Sequence, residues 1–205
     1  MIKVISFDLQ GTLSDSAFSD EFWQETLPIL YAVVHGMTCE EAKDVLKKQF
    51  AEWGVYDYRY YSLNYWLSAL QQESLSGIEK RMKHTPLFFP DSIALLKELQ
   101  GKTTVIVTSS TEKEFINREL GENRKYFSAV YSSIDDFGIA GKPVELYLKI
   151  ARMLHVQPGE MLHIGDSEEM DIDNAKKAGL QTFFFDKNLP RAEVMVSLKK
   201  RLQIP

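Results

Sequence analysis

The sequence contains little that would cross-link the chain or anchor it in a bilayer. Cys39 is the only cysteine among 205 residues, so no disulfide can form within the chain, as is usual in a reducing compartment. No apolar run approaches the roughly 20 residues that span a membrane. Residues 2–7 are too short a run for a signal peptide. We therefore expect a soluble, cytoplasmic protein with a packed, inert Cys39 thiol.

Clustered basic residues and clustered histidines are also lacking. The longest basic run is Lys199-Lys200-Arg201, and the net charge is −5. This balance argues against nucleic acid as the main partner. The four histidines are too scattered in the sequence to predict a metal cluster. His163 falls in a predicted buried strand, where we expect a hydrogen-bonded core histidine.

What the sequence does contain is an alternation of short apolar runs with amphipathic segments, which is typical of a parallel sheet with helical crossovers. Pro90 begins a helix that Gly101 ends, and Pro143 begins another. These features predict an α/β fold with a Rossmann-like parallel sheet core, formed by residues 1–14 and 86–205. Its predicted strands are residues 2–7, 103–107, 128–132, 161–164 and 182–185.

Residues 15–85 interrupt this alternation and are predicted to form an inserted helical cap domain. Thr38 and Glu41 form a capping box at the start of one of its helices. The segment 56–70 is rich in aromatic side chains. We expect these to pack helix against helix or cap against core, and the alternative is that they line a substrate pocket.

Two candidate catalytic positions follow predicted strands. Asp8 comes directly after the first strand, where open α/β sheets bind ligands, and Gly11 allows a tight turn behind it. Thr108 and Ser109 follow the second long apolar strand, and hydroxyls at such a point can hold a phosphoryl oxygen. Alternatively, Asp8 only caps a loop, and a serine here only caps a helix that begins near Thr111.

Two further candidates lie in the second half of the chain. Lys142 precedes a helix that begins with proline, and its ammonium group suits a carboxylate together with a phosphate. Asp166 directly follows the fourth strand and a glycine, and Asp171 lies in the acidic segment behind it. Carboxylates at this density suit Mg²⁺. The segment from Asp171 to Gly179 is predicted to be a helix.

Together, these four motifs in this order resemble the haloacid-dehalogenase-like hydrolases, specifically the phosphatases with a helical cap. The resemblance covers residues 1–14 and about 86–186. It implies that Asp8 attacks phosphorus and forms an aspartyl phosphate, while Thr108 and Lys142 hold the phosphoryl oxygens. The expected substrate is a small phosphorylated molecule.

The resemblance also implies a Mg²⁺ cofactor. Its ligands would be the Asp8 carboxylate, the main-chain carbonyl of Gln10 and the Asp166 carboxylate, with Asp171 adjacent through water. Magnesium would reduce the repulsion between an anionic carboxylate and an anionic phosphate.

The sequence departs from the phosphatase pattern at Gln10, where an aspartate usually transfers protons to the leaving group and from water. An amide can donate a hydrogen bond but cannot serve as a general acid or base. Three explanations are open. The substrate is an acyl phosphate with a good leaving group, another carboxylate such as Asp15 substitutes, or turnover is slow.

Two alternative functions remain. A haloacid dehalogenase also lacks the second aspartate, but it needs no Mg²⁺, so Asp166 and Asp171 argue against this activity. The other alternative is a non-catalytic or very slow phosphate-binding module on the same fold.

Overall fold

The computed structural model describes residues 1–72 and 74–204, and its core is a five-stranded parallel sheet. The strands are β1 (Val4–Phe7), β2 (Thr104–Ser109), β3 (Ala129–Ser132), β4 (Met161–Gly165) and β5 (Gln181–Phe184). Their order in the sheet is β3-β2-β1-β4-β5, and every neighbouring pair is parallel. This confirms the predicted α/β, Rossmann-like fold class.

Each predicted strand is present, but several of the predicted bounds were wrong by one or two residues. β1 begins at Val4 instead of residue 2, and β2 continues to Ser109 instead of ending at 107. It continues because Thr108 and Ser109 pair with Tyr131 and Ser132 of β3. Sequence periodicity does not report such pairing, since the partner strand lies elsewhere in the chain.

Helices cover both faces of the sheet. The helices that follow β1 in the sequence and precede Pro90 form a separate layer. The α-helices are α1 (Ala17–Glu21), α2 (Leu27–His35), α3 (Cys39–Trp53), α4 (Leu63–Ala69), α5 (Leu75–Glu79), α6 (Pro90–Leu99), α7 (Lys113–Leu120), α8 (Ser133–Phe137), α9 (Val144–Met153), α10 (Asn174–Lys177) and α11 (Arg191–Leu202). The described residues also contain two π-helical turns, Phe22–Thr26 between α1 and α2, and Glu168–Asp173 before α10. Within the described residues, no helix is long and apolar enough to cross a membrane.

Two helix starts differ from the prediction. Helix α7 begins at Lys113 and has no side-chain cap, because the Ser109 hydroxyl instead accepts a hydrogen bond from the Thr111 N–H at 3.3 Å. The helix expected from Asp171 begins earlier, as the π-helical turn. Ser167 caps that turn by accepting a hydrogen bond from the Met170 N–H at 3.2 Å.

The alternation of side chains along the strands divides the core between the two faces of the sheet. Ile5 and Phe7 of β1 pack against α6, α7 and α11 on one face. Val4 packs on the other face, against α9 and α10. Ser6 lies on the same face as Val4, so β1 carries a buried polar group toward α9, two residues before Asp8.

The helices between Ala17 and Glu79 pack around a cluster of leucine, isoleucine and aromatic side chains, which includes Phe22, Trp66 and Ile78 and extends to Phe115 of α7. The predicted capping box at Thr38 and Glu41 is present. The chain enters and leaves this helical layer side by side: the Asp15 N–H donates to the Leu87 carbonyl at 2.8 Å, and the Phe89 N–H donates to the Leu13 carbonyl at 3.1 Å.

Candidate active site

Three aspartates converge at the carboxyl ends of the central strands. Asp8 follows β1, Asp166 follows β4, and Asp171 comes from the π-helical turn. The three carboxylates each offer an oxygen within 4.8 Å of the others. Gly11 is part of this geometry, because its φ is +79° and a Cβ there would lie 2.6 Å from the Asp166 carboxylate. Any side chain at this position would therefore collide with the site.

Lys142 lies inside the carboxylate cluster. Its ammonium group is buried and forms ion pairs with both Asp8 and Asp171. The loop before α9 places it there, and its main-chain carbonyl accepts a hydrogen bond from the Asn174 side-chain amide at 3.1 Å. Burial would lower the pKa of Lys142, but the two carboxylates outweigh it and raise that pKa well above its usual range. Lys142 is therefore a fixed positive charge.

Asp8 and Asp171, which both form ion pairs with Lys142, have pKa values that are shifted in opposite directions. Burial raises the pKa of Asp8 to about 8, although Lys142 opposes the shift. Burial also disfavours ionised Asp171, but Lys142 and a hydrogen bond from His163 hold its pKa well below the usual range. One buried ammonium group therefore does not fully compensate the charge of this cluster.

A chain of buried hydrogen bonds leads from Asp171 to Thr108. His163 Nε2 is 3.0 Å from Asp171 Oδ1, and its Nδ1 is 2.9 Å from the Ser6 hydroxyl. The Ser6 hydroxyl is in turn 2.9 Å from the Thr108 hydroxyl. Burial lowers the pKa of His163, against the effect of Asp171, so the ring is neutral and carries its proton on Nε2, facing the carboxylate.

This tautomer determines the direction of the remaining bonds. Nδ1 must accept from Ser6, so Ser6 has no proton left for Thr108, and Thr108 donates inward to Ser6. Holding a phosphoryl oxygen with the Thr108 hydroxyl proton would require that hydroxyl to rotate. His163 is the hydrogen-bonded core histidine expected from the sequence, and its contact with Asp171 also places it directly behind the carboxylate cluster.

Gln10 faces an acidic partner that the sequence analysis missed. Its side-chain amide donates to Glu119 Oε1 at 2.7 Å, and the Ser14 hydroxyl donates to Glu119 Oε2 at 3.0 Å. Glu119 is only 4% exposed. Burial raises its pKa to about 7, and the hydrogen bonds from Gln10 and Ser14 limit the shift.

One signal in the sequence could have identified this carboxylate: Glu119 lies on the same face of α7 as Phe115 and Ile116, where a buried charge needs a partner. Asp15, the substitute acid considered from the sequence, instead accepts a hydrogen bond from the Ala17 N–H at 3.0 Å.

The serines after β2 occupy different environments. Ser109 is buried, and its hydroxyl is 3.0 Å from that of Thr111, so its side chain points into the loop. Ser110 instead lines a cleft between the sheet edge and the helical layer, together with Gln10 and the rings of Trp23 and Tyr60. The cleft therefore begins at Gln10, two residues after Asp8.

The oxygen ligands fit a hard divalent cation. Asp8, Asp166 and Asp171 supply only carboxylate oxygens, the ligand type that Mg²⁺ prefers. Lys142 offsets part of their negative charge, and Lys187 adds a largely exposed ammonium group 2.9 Å from Asp166. Asp8, Asp166 and Asp171 could thus hold a metal ion. The main-chain carbonyl of Gln10 remains a predicted ligand.

Comparison with known proteins identifies the family. Residues 2–179 match the haloacid dehalogenase-like hydrolase family. The chain belongs to that family. It is 23% identical to the GMP/IMP nucleotidase of Escherichia coli over 88% of this chain and 81% of that protein.

Two solved haloacid dehalogenase-like hydrolases show the same fold. The HAD phosphatase from Thermococcus onnurineus has a TM-score of 0.78 and 22% identity, with 98% of each chain covered. The L-2-haloacid dehalogenase PA0810 has a TM-score of 0.60 and 18% identity, with 92% of this chain and 86% of that chain covered. At these identities the structural likeness shows the fold alone, so the choice between the two chemistries depends on the site.

Proposed function

We propose that this hydrolase is a Mg²⁺-dependent phosphatase that forms an aspartyl phosphate on Asp8. The observation that carries the proposal is the convergence of Asp8, Asp166, Asp171 and Lys142 in one mostly buried site. A phosphoryl group brings negative charge to the Asp8 carboxylate, so the site must supply positive charge. Lys142 supplies one such charge, and the all-oxygen carboxylate set fits Mg²⁺ as the second.

In the proposed first step, an Asp8 oxygen attacks phosphorus, and the bond from phosphorus to the leaving-group oxygen breaks. In the second step, water attacks the phosphorus of the aspartyl phosphate, releasing inorganic phosphate and regenerating the carboxylate. Bound Mg²⁺ would supply Lewis-acid stabilisation of the phosphoryl oxygens. Lys142 stays charged and fixed beside Asp8 in both steps, and Thr108 is the proposed hydroxyl ligand for a phosphoryl oxygen.

Gln10 limits both proton transfers in this mechanism. Its amide cannot protonate a leaving alkoxide or deprotonate water. A positioned acid–base group contributes roughly 10²–10⁴-fold to such steps. We therefore propose that Gln10 orients the leaving group or the water by hydrogen bonding and that turnover is low for poor leaving groups.

We propose a small phosphorylated molecule as the substrate. The name of the E. coli relative supports this class, since that protein is a nucleotidase. We also propose that residues 15–85 act as a cap that excludes water from Asp8. The paired entry and exit segments at Asp15 and Leu87 would allow the layer to move as one unit.

The second candidate function is a slow or non-catalytic phosphate-binding module. It is favoured by Gln10 itself, because an amide at the acid–base position cannot transfer a proton, and the structure holds this amide in a hydrogen bond to Glu119. A 2-haloacid dehalogenase is the less favoured alternative, because the three-carboxylate set has no role in an activity that needs no metal.

Hydrolysis of p-nitrophenyl phosphate across a Mg²⁺ titration tests the proposal. Asp166→Asn should raise the Mg²⁺ concentration needed for activity by orders of magnitude, because an amide is a poorer ligand for a hard cation. Asp173→Asn is the matched control, since Asp173 is an exposed acid near the cluster but outside it.

The nucleophile is tested separately. Asp8→Asn should abolish both turnover and the phosphorylated form of the protein in an intact-mass measurement. Full turnover by the Asp8→Asn variant, or dehalogenation of 2-chloropropionate that persists in EDTA, would contradict the phosphatase proposal.

A further inference from the structure

The cleft that begins at Gln10 has an aromatic wall. Its volume is about 360 Å³, within the range of small-molecule sites. Trp23, Phe50, Tyr60 and Tyr61 all line it, so ring systems from three separate segments of the helical layer face one space. At the other side of this space are Gln10 and Ser110, which follow the first and second strands of the sheet. A leaving group attached to a phosphate at Asp8 would extend into this cleft.

The aromatic wall is held in place from behind. Trp23 stacks on Phe115 of the core with ring centroids 6.0 Å apart and planes 19° apart. Phe50 lies 5.5 Å from Trp66, and Tyr60 lies 5.0 Å from Phe50. Rings that are already packed lose little side-chain entropy when a ligand stacks on them. The wall is therefore preorganised for a flat apolar group.

The charge of the cleft is unsuited to a second anion. Of the described residues that line it, none is a lysine or arginine, and Asp20 contributes a carboxylate. A second phosphate would lose its hydration without gaining a cationic partner. Asp20 and Gln24 instead offer hydrogen-bond acceptors and an amide, which match the N–H, carbonyl and hydroxyl groups of an uncharged polar heterocycle.

From these observations we infer that the cleft binds a planar aromatic leaving group without a second phosphate, and that a nucleoside monophosphate is the substrate class. This inference rests on the proposed phosphatase function. The phosphate would lie at Asp8 and the base against the rings of Trp23 and Tyr60. Hydrolysis would break the bond from phosphorus to the nucleoside oxygen, and water would supply the hydroxyl of inorganic phosphate and the proton of the nucleoside.

Binding of the uncharged product separates this inference from the catalytic proposal. Isothermal titration of the protein with inosine and with ribose compares the same sugar with and without a base, and requires neither a metal nor turnover. Base–aromatic stacking predicts that inosine binds about 10-fold to 100-fold more tightly than ribose. Tyr60→Leu should reduce this preference about tenfold, and Tyr60→Phe should retain it because the ring remains.

Tyr65→Leu is the matched control, because Tyr65 packs on Trp53 and Trp66 within the helical layer and does not line the cleft. It should leave the preference for inosine over ribose unchanged. Equal binding of inosine and ribose, or an equal effect of Tyr60→Leu and Tyr65→Leu, would overturn the inference.

Kinetics provide the second arm of the test. The ratio of kcat/KM for IMP to that for ribose 5-phosphate should exceed about 10, and ribose 1,5-bisphosphate should be the poorest of the three substrates. A protein that prefers the bisphosphate overturns the inference. If inosine binds as expected but no phosphate ester is hydrolysed, the cleft inference stands and the phosphatase proposal fails.

Discussion

Replacing Gln10 by aspartate would restore the residue that family phosphatases carry at this position, yet the structure predicts that this change alone is insufficient. The Gln10 amide is the donor to Glu119 Oε1 at 2.7 Å, and Glu119 is almost fully buried. Gln10→Asp removes that donor and adds a second carboxyl group beside the first. Two adjacent carboxyl groups disfavour double ionisation and raise the pKa of one of them.

The expected size of the effect on stability and on rate follows from the hydrogen bond between Gln10 and Glu119. A buried acceptor that loses its partner costs about 1–3 kcal/mol, so Gln10→Asp should lower Tm by several degrees. Its rate gain on glycerol phosphate should fall short of the roughly 10²–10⁴-fold that a positioned acid–base group provides. Adding Glu119→Gln supplies an amide that can donate to the new carboxylate. The double variant should therefore regain the lost Tm and hydrolyse glycerol phosphate faster than either single variant.

This coupling is measured by steady-state kinetics on glycerol phosphate and by thermal unfolding. Both are carried out on the unmodified protein, the two single variants and the double variant. Glu119→Gln alone is the control, because it keeps Gln10 and cannot provide proton transfer. If Gln10→Asp alone equals the double variant in both rate and Tm, Glu119 does not influence this position and the reasoning is refuted.

Three further outcomes are expected. With p-nitrophenyl phosphate, the unmodified protein should release a stoichiometric burst of p-nitrophenol in stopped-flow absorbance and then turn over slowly, since Gln10 cannot activate water; a linear time course would contradict this. The pKa of Glu119 is raised from 4.5 in the unfolded chain to about 7 in the folded protein. The resulting stabilisation of the folded state is fully present below pH 4.5 and is lost as the pH rises to 7. Glu119→Gln should therefore gain up to about 3 kcal/mol relative to the unmodified protein between pH 4.5 and 8 in denaturant unfolding, and a constant difference would refute the shift. Ser6→Ala leaves His163 Nδ1 without a donor, so the free energy of unfolding should fall by about 1–3 kcal/mol; a loss under about 0.5 kcal/mol would exclude the inferred hydrogen-bond direction.

The sequence by itself determined the features that are local in the chain. Apolar runs of strand length identified all five strands of the sheet, and the capping box identified the start of α3. The positions of Asp8 and Asp166 after their strands marked both as candidate site residues, because open α/β sheets bind ligands at the carboxyl ends of their strands. The family resemblance then implied that the two share a metal ion, and it added expected roles for Gln10, Thr108 and Lys142.

Only the tertiary structure decided which groups touch. Glu119 is 109 residues from Gln10, and Lys142 is 134 residues from Asp8, so no local pattern reports either contact. The end of β2 was likewise decided by its pairing with β3. The protonation of buried groups also depends on the folded state, because burial and neighbouring charges set the pKa values of Asp8, Glu119 and His163. Burial and the close approach of charges arise only in the folded chain, where segments that are distant in the sequence exclude water together.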